Sequence, residues 1–487
     1  MASSERESLR SYGSGSVIPL VVDLDGTLVS GDLLAETLVA HLAARPHDAF
    51  LLARLLAQGK ANLKAHLSEL HPLAADELPY RQSVLDVIAA ARSEGRPVYL
   101  ATASHERYAS AIAAHLGVFD GVLATAANDN LAGDRKATAL VERFGEAGFD
   151  YIGNSSADLA VWSHARRCYA VATSASVSRR LRRSHDAVEA LESPRLTIRV
   201  WLRALRVHQY AKNALIFLPM LAAHALKLDL FVNCLLAFVA FSMAASAIYL
   251  VNDLVDITHD RAHPSKRNRP IAAGLVSVGQ AMVAVPLLLA ASALVTLFLP
   301  IMFAAVLLGY LVLTTAYSFW LKRKMLIDVV VLALLYSARV YAGGAATDIV
   351  LSDWLLAFCL FAFTSLALIK RYTELLVRVD RQLPDAQNRN YRKDDLPVIV
   401  ALAAGSGLNT VTVLALYVQS PDVALHYRHP HLLWALCPLL LFLMSRALMM
   451  AHRRLMHDDP IVWAMRDRVF RQGIVAAGVI VAVAAFL

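Results

Sequence analysis

Two kinds of hydrophobic pattern divide the chain. Residues 1 to about 190 mix short apolar and polar stretches as a soluble protein does. From about residue 211 onward, apolar stretches of membrane-spanning length recur with short polar breaks. Nine spans are predicted, at 211–226, 229–251, 278–298, 301–321, 327–346, 354–373, 396–419, 431–451 and 470–487. The pattern predicts a soluble α/β domain followed by an all-α bundle of nine transmembrane helices.

Composition agrees with this division. The chain has 487 residues, of which 57% are hydrophobic, and its mean hydropathy is +0.49, which is too apolar for a soluble protein. The net charge of +8 could suggest nucleic acid, but the cations fall in short loops between apolar stretches, so no nucleic-acid partner is predicted. Four scattered cysteines form neither a disulfide framework nor a metal-ligand spacing.

The basic residues predict an orientation. Four loops on one side of the nine-span arrangement, counted together with the adjoining ends of the spans, hold 19 Lys and Arg, whereas the intervening loops hold only Lys227 and Arg428. Cations concentrate on the cytoplasmic side, so these four loops are predicted to be cytoplasmic. Residues 1–16 lack the apolar core of a signal peptide. We therefore expect a multi-pass protein of the inner membrane with a cytoplasmic N-terminal domain and the C-terminus outside.

The second predicted span ends in an acidic motif, Asn252-Asp253-Leu254-Val255-Asp256-Ile257-Thr258-His259-Asp260. On a helix, Asp253, Asp256 and Asp260 project from one face and can share one or two divalent ions. The competing interpretation is a helix end whose acids simply meet solvent. Acids at membrane depth are usually functional, which favours a metal site. A basic loop with Lys266, Arg267 and Arg269 follows and could bind a phosphorylated substrate.

A second acidic motif lies in the soluble domain. The strand-like stretch Val17–Val22 precedes Asp23-Leu24-Asp25-Gly26-Thr27. A carboxylate at the end of a buried strand can attack phosphorus, and an acid two residues later points the same way. Asp23 is the predicted nucleophile and Asp25 the general acid/base. A strand-ending turn would explain Asp25-Gly26 alone, but not the motifs that follow downstream.

Those motifs are a strand-like run ending in Thr102-Ala103-Ser104, Lys136 at a helix start, and Gly153-Asn154-Ser155-Ser156-Ala157-Asp158. Their order resembles the haloacid dehalogenase (HAD) superfamily of phosphohydrolases, which have a Rossmann-type fold. The resemblance implies that Thr102 and Lys136 hold phosphate and that Asp23, Asp25 and Asp158 bind Mg²⁺. Many members carry Asp where this chain has Asn154, which removes one negative charge from the metal site and leaves the activity of the domain open.

Residues 199–487 resemble the UbiA superfamily of intramembrane transferases, with the Asn252–Asp260 motif as the strongest mark. These enzymes use Mg²⁺ held by aspartates to bind a diphosphate and help it leave. Members that prenylate aromatic rings carry a second aspartate-rich motif, whereas the corresponding loop here is dominated by cations such as Lys370, Arg371 and Arg392.

Three segments resemble the polyprenyl-phosphate phosphoribosyltransferases: Arg206–Asn213, His263–Gly274 and Lys370–Leu375. That reaction brings together three anionic groups, so many cations are needed. Basic residues at cytoplasmic helix ends are also expected from topology alone. The predicted substrate-binding residues are Gln209, Lys212, Asn213, Asn252, Lys266, Arg267, Arg269, Tyr317, Lys322, Lys370, Arg371, Glu374 and Arg392.

The predicted organisation is a flexible N-terminus (1–16), a HAD-like domain with a helical cap (17–185), a linker (186–198) and a UbiA-like membrane domain (199–487). The predicted partners are phosphoribosyl diphosphate, a polyprenyl phosphate and the lipid bilayer, with a homo-oligomer left open. We expect phosphoribose transfer to the lipid phosphate, followed by dephosphorylation in the HAD-like domain. The alternatives are prenyl transfer from a prenyl diphosphate to an aromatic acceptor, and a transporter with a regulatory domain.

Overall fold

The computed structural model describes residues 17–486, apart from 127–129, 186, 195, 264–265, 383, 385–389, 422, 424–426 and 457–458. The predicted N-terminus 1–16 and two residues of the basic loop, Pro264 and Ser265, lie outside this range. The chain contacts divide into two compact units. One comprises the residues up to Ala204 together with Leu250–Ala284, and the other comprises Leu205–Tyr249 with Val285–Leu487.

The first unit is built on a six-stranded parallel sheet with the order β3-β2-β1-β4-β5-β6. The strands are β1 Leu20–Val22, β2 Val98–His105, β3 Gly121–Thr125, β4 Asp150–Gly153, β5 Arg167–Val171 and β6 Val188–Leu191. Leu20 and Val22 pack into the core on one face of the sheet, and Val21 packs into the core on the other. Both faces are therefore covered, as a parallel sheet requires. We call residues 17–191 the head, since strand pairing continues to Leu191, past the predicted end at 185.

Helices surround this sheet and extend beyond it. They are α1 Leu33–Ala44, α2 Ala49–Ala57, α3 Lys60–Leu70, α4 Gln82–Ser93, α5 Glu106–Leu116, α6 Asp134–Phe144, α7 Leu159–Trp162, α8 Ala175–Ser184 and, after the head, α9 Ile198–Ala204. Helices α1 to α3 form a small cluster of their own around Leu52, Leu63 and Leu67, in the region predicted to be the helical cap. The Asp32 side chain caps α1 by accepting a hydrogen bond from the Ala35 amide at 2.9 Å.

Residues Leu250–Ala284, here called the motif segment, belong to the first unit and contact the head. A buried bidentate ion pair joins the Arg261 guanidinium to the Glu36 carboxylate, with N–O distances of 2.7 and 2.8 Å. Gly274 adopts a φ of +68° directly against Ser30, and a Cβ at Gly274 would overlap the Ser30 side chain. The motif segment is therefore closely packed onto the chain that follows the head's Asp23–Thr27 turn.

Eight helices among the described residues are long and apolar enough to cross a membrane. Continuing the numbering after the short helix α10 Leu218–Ala222, they are α11 Leu228–Val255, α13 Val278–Thr296, α14 Ile301–Phe319, α15 Ile327–Thr347, α16 Asp353–Asp380, α17 Leu396–Gln419, α18 Leu436–His452 and α20 Arg468–Phe486. Two further short helices are α12 Ile257–Ala262 and α19 Pro460–Arg466.

The first of the nine predicted spans, 211–226, differs from the prediction. Its residues form a 3₁₀ helix, Val207–Phe217, followed by α10, in place of one continuous α-helix. Pro219 lies in the first turn of α10, where its missing amide hydrogen is tolerated. Gly343 of α15 packs so closely on the Ile216 carbonyl that a Cβ would overlap it. The segment is therefore not one regular α-helix, a difference that hydropathy alone does not reveal.

Candidate active sites

The two carboxylates predicted in the head lie at the end of β1, in the turn that follows it. Asp23 is buried, and its Oδ2 accepts a hydrogen bond from Thr27 Oγ1 at 2.9 Å. Its other oxygen, Oδ1, is 2.9 Å from Lys136 Nζ. Asp25 accepts from the Leu33 amide at 2.9 Å and from Ser104 Oγ at 2.5 Å. The two carboxylates are thus held by different hydrogen-bond partners, which is consistent with the different roles predicted for them.

Lys136 contacts two other predicted residues of the head, Asp23 and Asp158. Its Nζ lies 3.0 Å from Asp158 Oδ1, so one buried ammonium bridges Asp23 and Asp158. Burial lowers the pKa of Lys136, but the two carboxylates together outweigh this effect and hold its pKa above the ordinary value. Burial raises the pKa of Asp158, but Lys136 and the hydrogen bond from Tyr151 outweigh it, so the pKa of Asp158 is lowered. Lys136 therefore remains a cation.

For Asp23 and Asp25, neighbouring groups only partly offset the effect of burial on the pKa. Burial raises the pKa of Asp23 to about 6, with Lys136 opposing the change. Burial, reinforced by the negative charge of Asp32, raises the pKa of Asp25 to about 7. Thr102 is fully buried, and its Oγ1 accepts from the Ser104 amide at 2.9 Å, so it helps position the serine that holds Asp25.

Asn154 lies over the turn that carries Asp25. Gly26 has a φ of +74°, and a Cβ at this position would overlap the Asn154 side-chain amide. The amide oxygen of Asn154 is a usable ligand for a hard cation. Carboxylate oxygens are the ligands that Mg²⁺ prefers, and a bound dication would favour the ionised forms of Asp23 and Asp25, so the set Asp23, Asp25, Asp158 and Asn154 fits this ion.

A stability measurement can test the electrostatics of this site. The pKa of Asp25 is about 3.8 when unfolded and about 7 when folded, so the contribution of Asp25 to stability is fully present below about pH 4 and is lost as the pH rises through 7. In chelator, we expect Asp25→Asn to stabilise the head by about 1–3 kcal/mol at pH 7.5 and by much less at pH 4. Thermal exposure of the buried Cys168, with the other three cysteines replaced, reports on head unfolding. Equal pH dependence in wild type and variant would contradict the assignment.

The acidic motif of the motif segment is held together by one arginine. The guanidinium Nη1 of Arg269 lies 3.1 Å from Asp253 Oδ1 and 2.7 Å from Asp260 Oδ2. Both carboxylates are buried. Helix α11 ends at Val255 and α12 begins at Ile257, but hydrogen bonds from the Asp256 amide to Asn252 and from the Asp260 amide to Asp256 carry the helical turn through the break. Asp253 and Asp260 therefore share one face, as predicted.

Within the described part of the chain, no three acidic, histidine or cysteine side chains are already arranged around a metal position. In the motif segment, Arg269 supplies the positive charge between Asp253 and Asp260. Burial raises the pKa of Asp260, and Arg269 offsets only part of that effect. Two buried carboxylates sharing one guanidinium are a donor set that fits a divalent cation with oxygen preference.

A cluster of cations lies in the second unit around Asp459. Lys212 Nζ is 2.8 Å and Lys370 Nζ is 3.0 Å from Asp459 Oδ2, and the Tyr336 hydroxyl donates to the same oxygen at 2.9 Å. We call these four residues the lysine cluster. Asp459 also caps α19 by accepting from the Ile461 amide at 3.2 Å. Burial raises the pKa of Asp459, but the two lysines outweigh it and hold the pKa well below its ordinary range.

A second buried network lies around Arg371. Its Nε is 3.0 Å from Asp328 Oδ2, and its Nη1 contacts Glu374. Tyr391 donates to Asp328 Oδ1 at 2.6 Å and accepts from the Leu326 amide at 2.8 Å. Arg371 and Glu374, both predicted to bind substrate, are thus paired with each other and tie α16 to the start of α15.

The other predicted substrate-binding residues fall into two groups. Asn213 is buried and accepts from Arg339 Nε at 2.9 Å, while Asn252, Gln209, Tyr317 and Lys322 are half-buried. Lys266, Arg267 and Arg392 are exposed. The assignment of these residues to substrate binding stays a prediction.

Sequence reasoning missed Asp459, Arg339, Glu36 and Arg81. Asp459 stands between two membrane helices, and nothing in its neighbourhood distinguishes it from a loop acid. Arg339 lies inside an apolar helix, and its buried guanidinium faces the rings of Phe241 and Tyr310. Arginine is rare within a membrane span, so the sequence position of Arg339 could have marked it as a candidate functional residue.

The lysine cluster yields a stability prediction. Replacing Asp459 by asparagine leaves two lysines without their buried counter-charge, which should destabilise the protein by about 3–5 kcal/mol. The matched control is Asp380→Asn, which removes an exposed pair with Arg454 and should change the stability far less. Unfolding in detergent measures both. Equal effects would show that the cluster is not held by the Asp459 charge.

Similarity to known proteins agrees with this geometry. The UbiA prenyltransferase family matches residues 214–470, and the haloacid dehalogenase-like hydrolases match residues 20–162. A Sinorhizobium fredii protein, uncharacterized protein y4nM, is 36% identical over 455 residues, covering 93% of this chain and 88% of its own length. Nodulation protein NoeC of Azorhizobium caulinodans is 34% identical over 271 residues, covering 55% of this chain and 87% of its own.

A third relative is decaprenyl-phosphate phosphoribosyltransferase of Mycolicibacterium smegmatis. It is 37% identical over 197 residues, which cover 39% of this chain and 62% of that protein. The head is therefore a HAD-like domain with the predicted parallel sheet. The acidic motif, the apolar helices and a family match over more than half of the sequence lead to one conclusion: the chain belongs to the UbiA prenyltransferase family.

Proposed function

We propose that this protein is a magnesium-dependent membrane transferase that moves 5-phosphoribose from phosphoribosyl diphosphate to a polyprenyl phosphate, and that the head then removes the 5-phosphate. The observation that carries the first step is the pair of buried carboxylates, Asp253 and Asp260, bridged by Arg269 at the end of an apolar helix. The similarity to decaprenyl-phosphate phosphoribosyltransferases supports the choice of donor and acceptor.

In the proposed transfer, Asp253, Asp256 and Asp260 would hold Mg²⁺ for binding of the donor diphosphate, and Asn252 would orient them. When bound, the metal neutralises the charge that develops on the leaving diphosphate. Arg269 would then share its positive charge between the carboxylates and the diphosphate. An oxygen of the lipid phosphate attacks C1 of the ribose, the bond from C1 to the diphosphate oxygen breaks, and diphosphate leaves. The acceptor is already anionic, so no protein nucleophile is needed.

The cations of the second unit suit the remaining phosphates. The donor carries a 5-phosphate as well as the diphosphate, and the acceptor adds a third anion. Lys212 and Lys370 are ordered by Asp459 and Tyr336, so their side chains lose little freedom when an anion binds. Lys266 and Arg267 of the first unit, and Lys322 and Arg392 of the second, are further cations predicted to bind phosphate groups.

In the proposed second step, Asp23 attacks the phosphorus of the 5-phosphate and Asp25 donates a proton to the departing ribose oxygen. Water then attacks the aspartyl phosphate while Asp25 accepts a proton, which releases inorganic phosphate and restores both acids. A pKa of about 7 suits Asp25 for both transfers near neutral pH. Thr102, Lys136 and Asp158 would hold the phosphate and the metal.

The contact between the head and the motif segment supports the predicted orientation. The Glu36–Arg261 pair joins the head to the motif segment, which favours the same side of the membrane for both, and the distribution of basic residues favours the cytoplasmic side. With α11 crossing once, this orientation predicts that residues 205–227 cross as well. The 3₁₀ helix Val207–Phe217 and α10 together could reach roughly 30 Å, about the thickness of the hydrocarbon core.

A panel of substrates tests the proposed transfer. Purified full-length protein would receive radiolabelled phosphoribosyl diphosphate or prenyl diphosphate, each with a polyprenyl phosphate or a hydroxybenzoate, with Mg²⁺ or with chelator. We expect Mg²⁺-dependent label only in the polyprenyl phosphate given the phosphoribosyl donor. Prenylation of the aromatic ring would instead establish the alternative that the name of the family suggests.

A further inference from the structure

The catalytic turn of the head opens into a cavity of about 670 Å³. Asp23, Asp25 and Lys136 line one part of it, and residues Ala273–Leu275, Ser277 and Gln280 of the motif segment line another. Pockets of about 300–1,000 Å³ take ligands of drug size, so this cavity has room for more than a phosphate group. Its walls come from the head and from the segment that also carries the acidic motif.

Arg81 also lines this cavity, and the proposed dephosphorylation gives it no role. Its amide donates to the Leu28 carbonyl at 2.9 Å, and its Nε donates to the Gly26 carbonyl at 3.2 Å. The side chain is thereby fixed beside the turn that follows Asp25. Its guanidinium has further N–H groups that the Gly26 contact does not use.

The charge of Arg81 has no acidic partner among the described residues. No carboxylate there forms a hydrogen bond or an ion pair with it. Burial lowers the pKa of Arg81, and no carboxylate offsets this effect. A half-buried guanidinium without a counter-charge is costly unless an anion binds to it. The position of Arg81 in the catalytic cavity points to an anionic part of the substrate.

We propose that Arg81 binds a second phosphate of the head's substrate, the phosphodiester that joins the ribose to the lipid, while Lys136 and Thr102 hold the 5-phosphate. This inference rests on the proposed function, because the transfer product is the molecule that carries both groups on one ribose. Arg81 would therefore distinguish the lipid-linked sugar phosphate from free sugar phosphates. In this proposal, the lipid-linked end of the substrate lies against the part of the cavity that the motif segment lines.

Binding of two soluble compounds tests this assignment. One is ribose 5-phosphate, and the other is the same sugar with a butyl phosphodiester at C1. Calorimetry with Mg²⁺ on full-length Asp23→Asn protein measures binding without turnover. The full-length protein could also bind these compounds outside the head. We therefore count as binding to the head only the binding that disappears when Lys136→Gln is combined with Asp23→Asn. The substitution Arg81→Gln is compared with Arg92→Gln, which lies on the same helix α4 and pairs with Asp120 at the surface.

We expect Arg81→Gln to weaken binding of the phosphodiester compound about tenfold or more, and binding of ribose 5-phosphate less than twofold. Arg92→Gln should change neither. Equal weakening of both compounds would show that Arg81 only supports the Gly26 turn, and no weakening would remove its role, so either result overturns the proposal. If neither compound binds in a Lys136-dependent way, the phosphatase step itself fails, while the substrate panel still decides the transfer.

Discussion

Replacing Asp253 by alanine is expected to reduce phosphoribosyl transfer by about 10²–10⁴-fold. The buried carboxylate pairs with Arg269 at 3.1 Å, and in the proposed transfer it would also hold the metal that binds the diphosphate. Its loss removes stabilisation of charge that develops only as the diphosphate leaves, so the rate should fall more than substrate binding. The measurement is initial rate of lipid labelling at saturating donor and acceptor.

The same helix offers a matched control. Asp229 stands in the first turn of α11, is exposed, and lies at the opposite end from Asp253. Asp229→Asn should keep at least half of the wild-type rate. If Asp253→Ala and Asp229→Asn behaved alike, with both proteins folded, the motif would have no catalytic role and the proposed chemistry would be wrong.

The second large effect is expected in the head. Asp23→Asn removes the nucleophile, so hydrolysis of the 5-phosphate should fall by at least about 10³-fold, because general acid and electrostatic assistance alone cannot form the aspartyl phosphate. Transfer to the lipid should continue at a rate close to wild type. Mass spectrometry of the extracted lipid should then show a phosphoribosyl product where wild type shows the sugar without its 5-phosphate.

Asp86→Asn is the control for that experiment. Asp86 is exposed on α4 and forms a hydrogen bond only with Gln82 among the contacts described for it. Its substitution should leave both the transfer and the dephosphorylation unchanged. Retention of the 5-phosphate in wild type, with no difference on Asp23→Asn, would separate the two activities and leave the head a structural or regulatory domain.

Much of this arrangement could be predicted from sequence because its signals are local. The Asp23–Thr27 turn and the acidic motif each lie within ten residues, and hydropathy identified eight of the nine predicted spans as long apolar helices. The Asp253–Asp260 face follows from helical periodicity, which the structure retains through the break at Asp256.

The features that sequence missed depend on contacts between distant residues. Glu36 and Arg261 are 225 positions apart, and Asp459 meets Lys212 across an even longer separation. A single sequence holds no periodicity or spacing that connects such pairs. The 3₁₀ helix Val207–Phe217 was missed for a related reason, since the close packing of Ile216 against Gly343 of α15 cannot be read from the hydropathy of the segment.

One experiment tests both proposed steps together. Wild-type protein is incubated with polyprenyl phosphate, Mg²⁺ and phosphoribosyl diphosphate that carries ¹⁴C in the ribose and ³²P in the 5-phosphate, and the lipid and aqueous phases are counted separately. We expect ¹⁴C in the lipid phase with little ³²P, and ³²P in the aqueous phase as inorganic phosphate. A lipid phase without ¹⁴C, from protein shown to be folded, would contradict the proposed transfer.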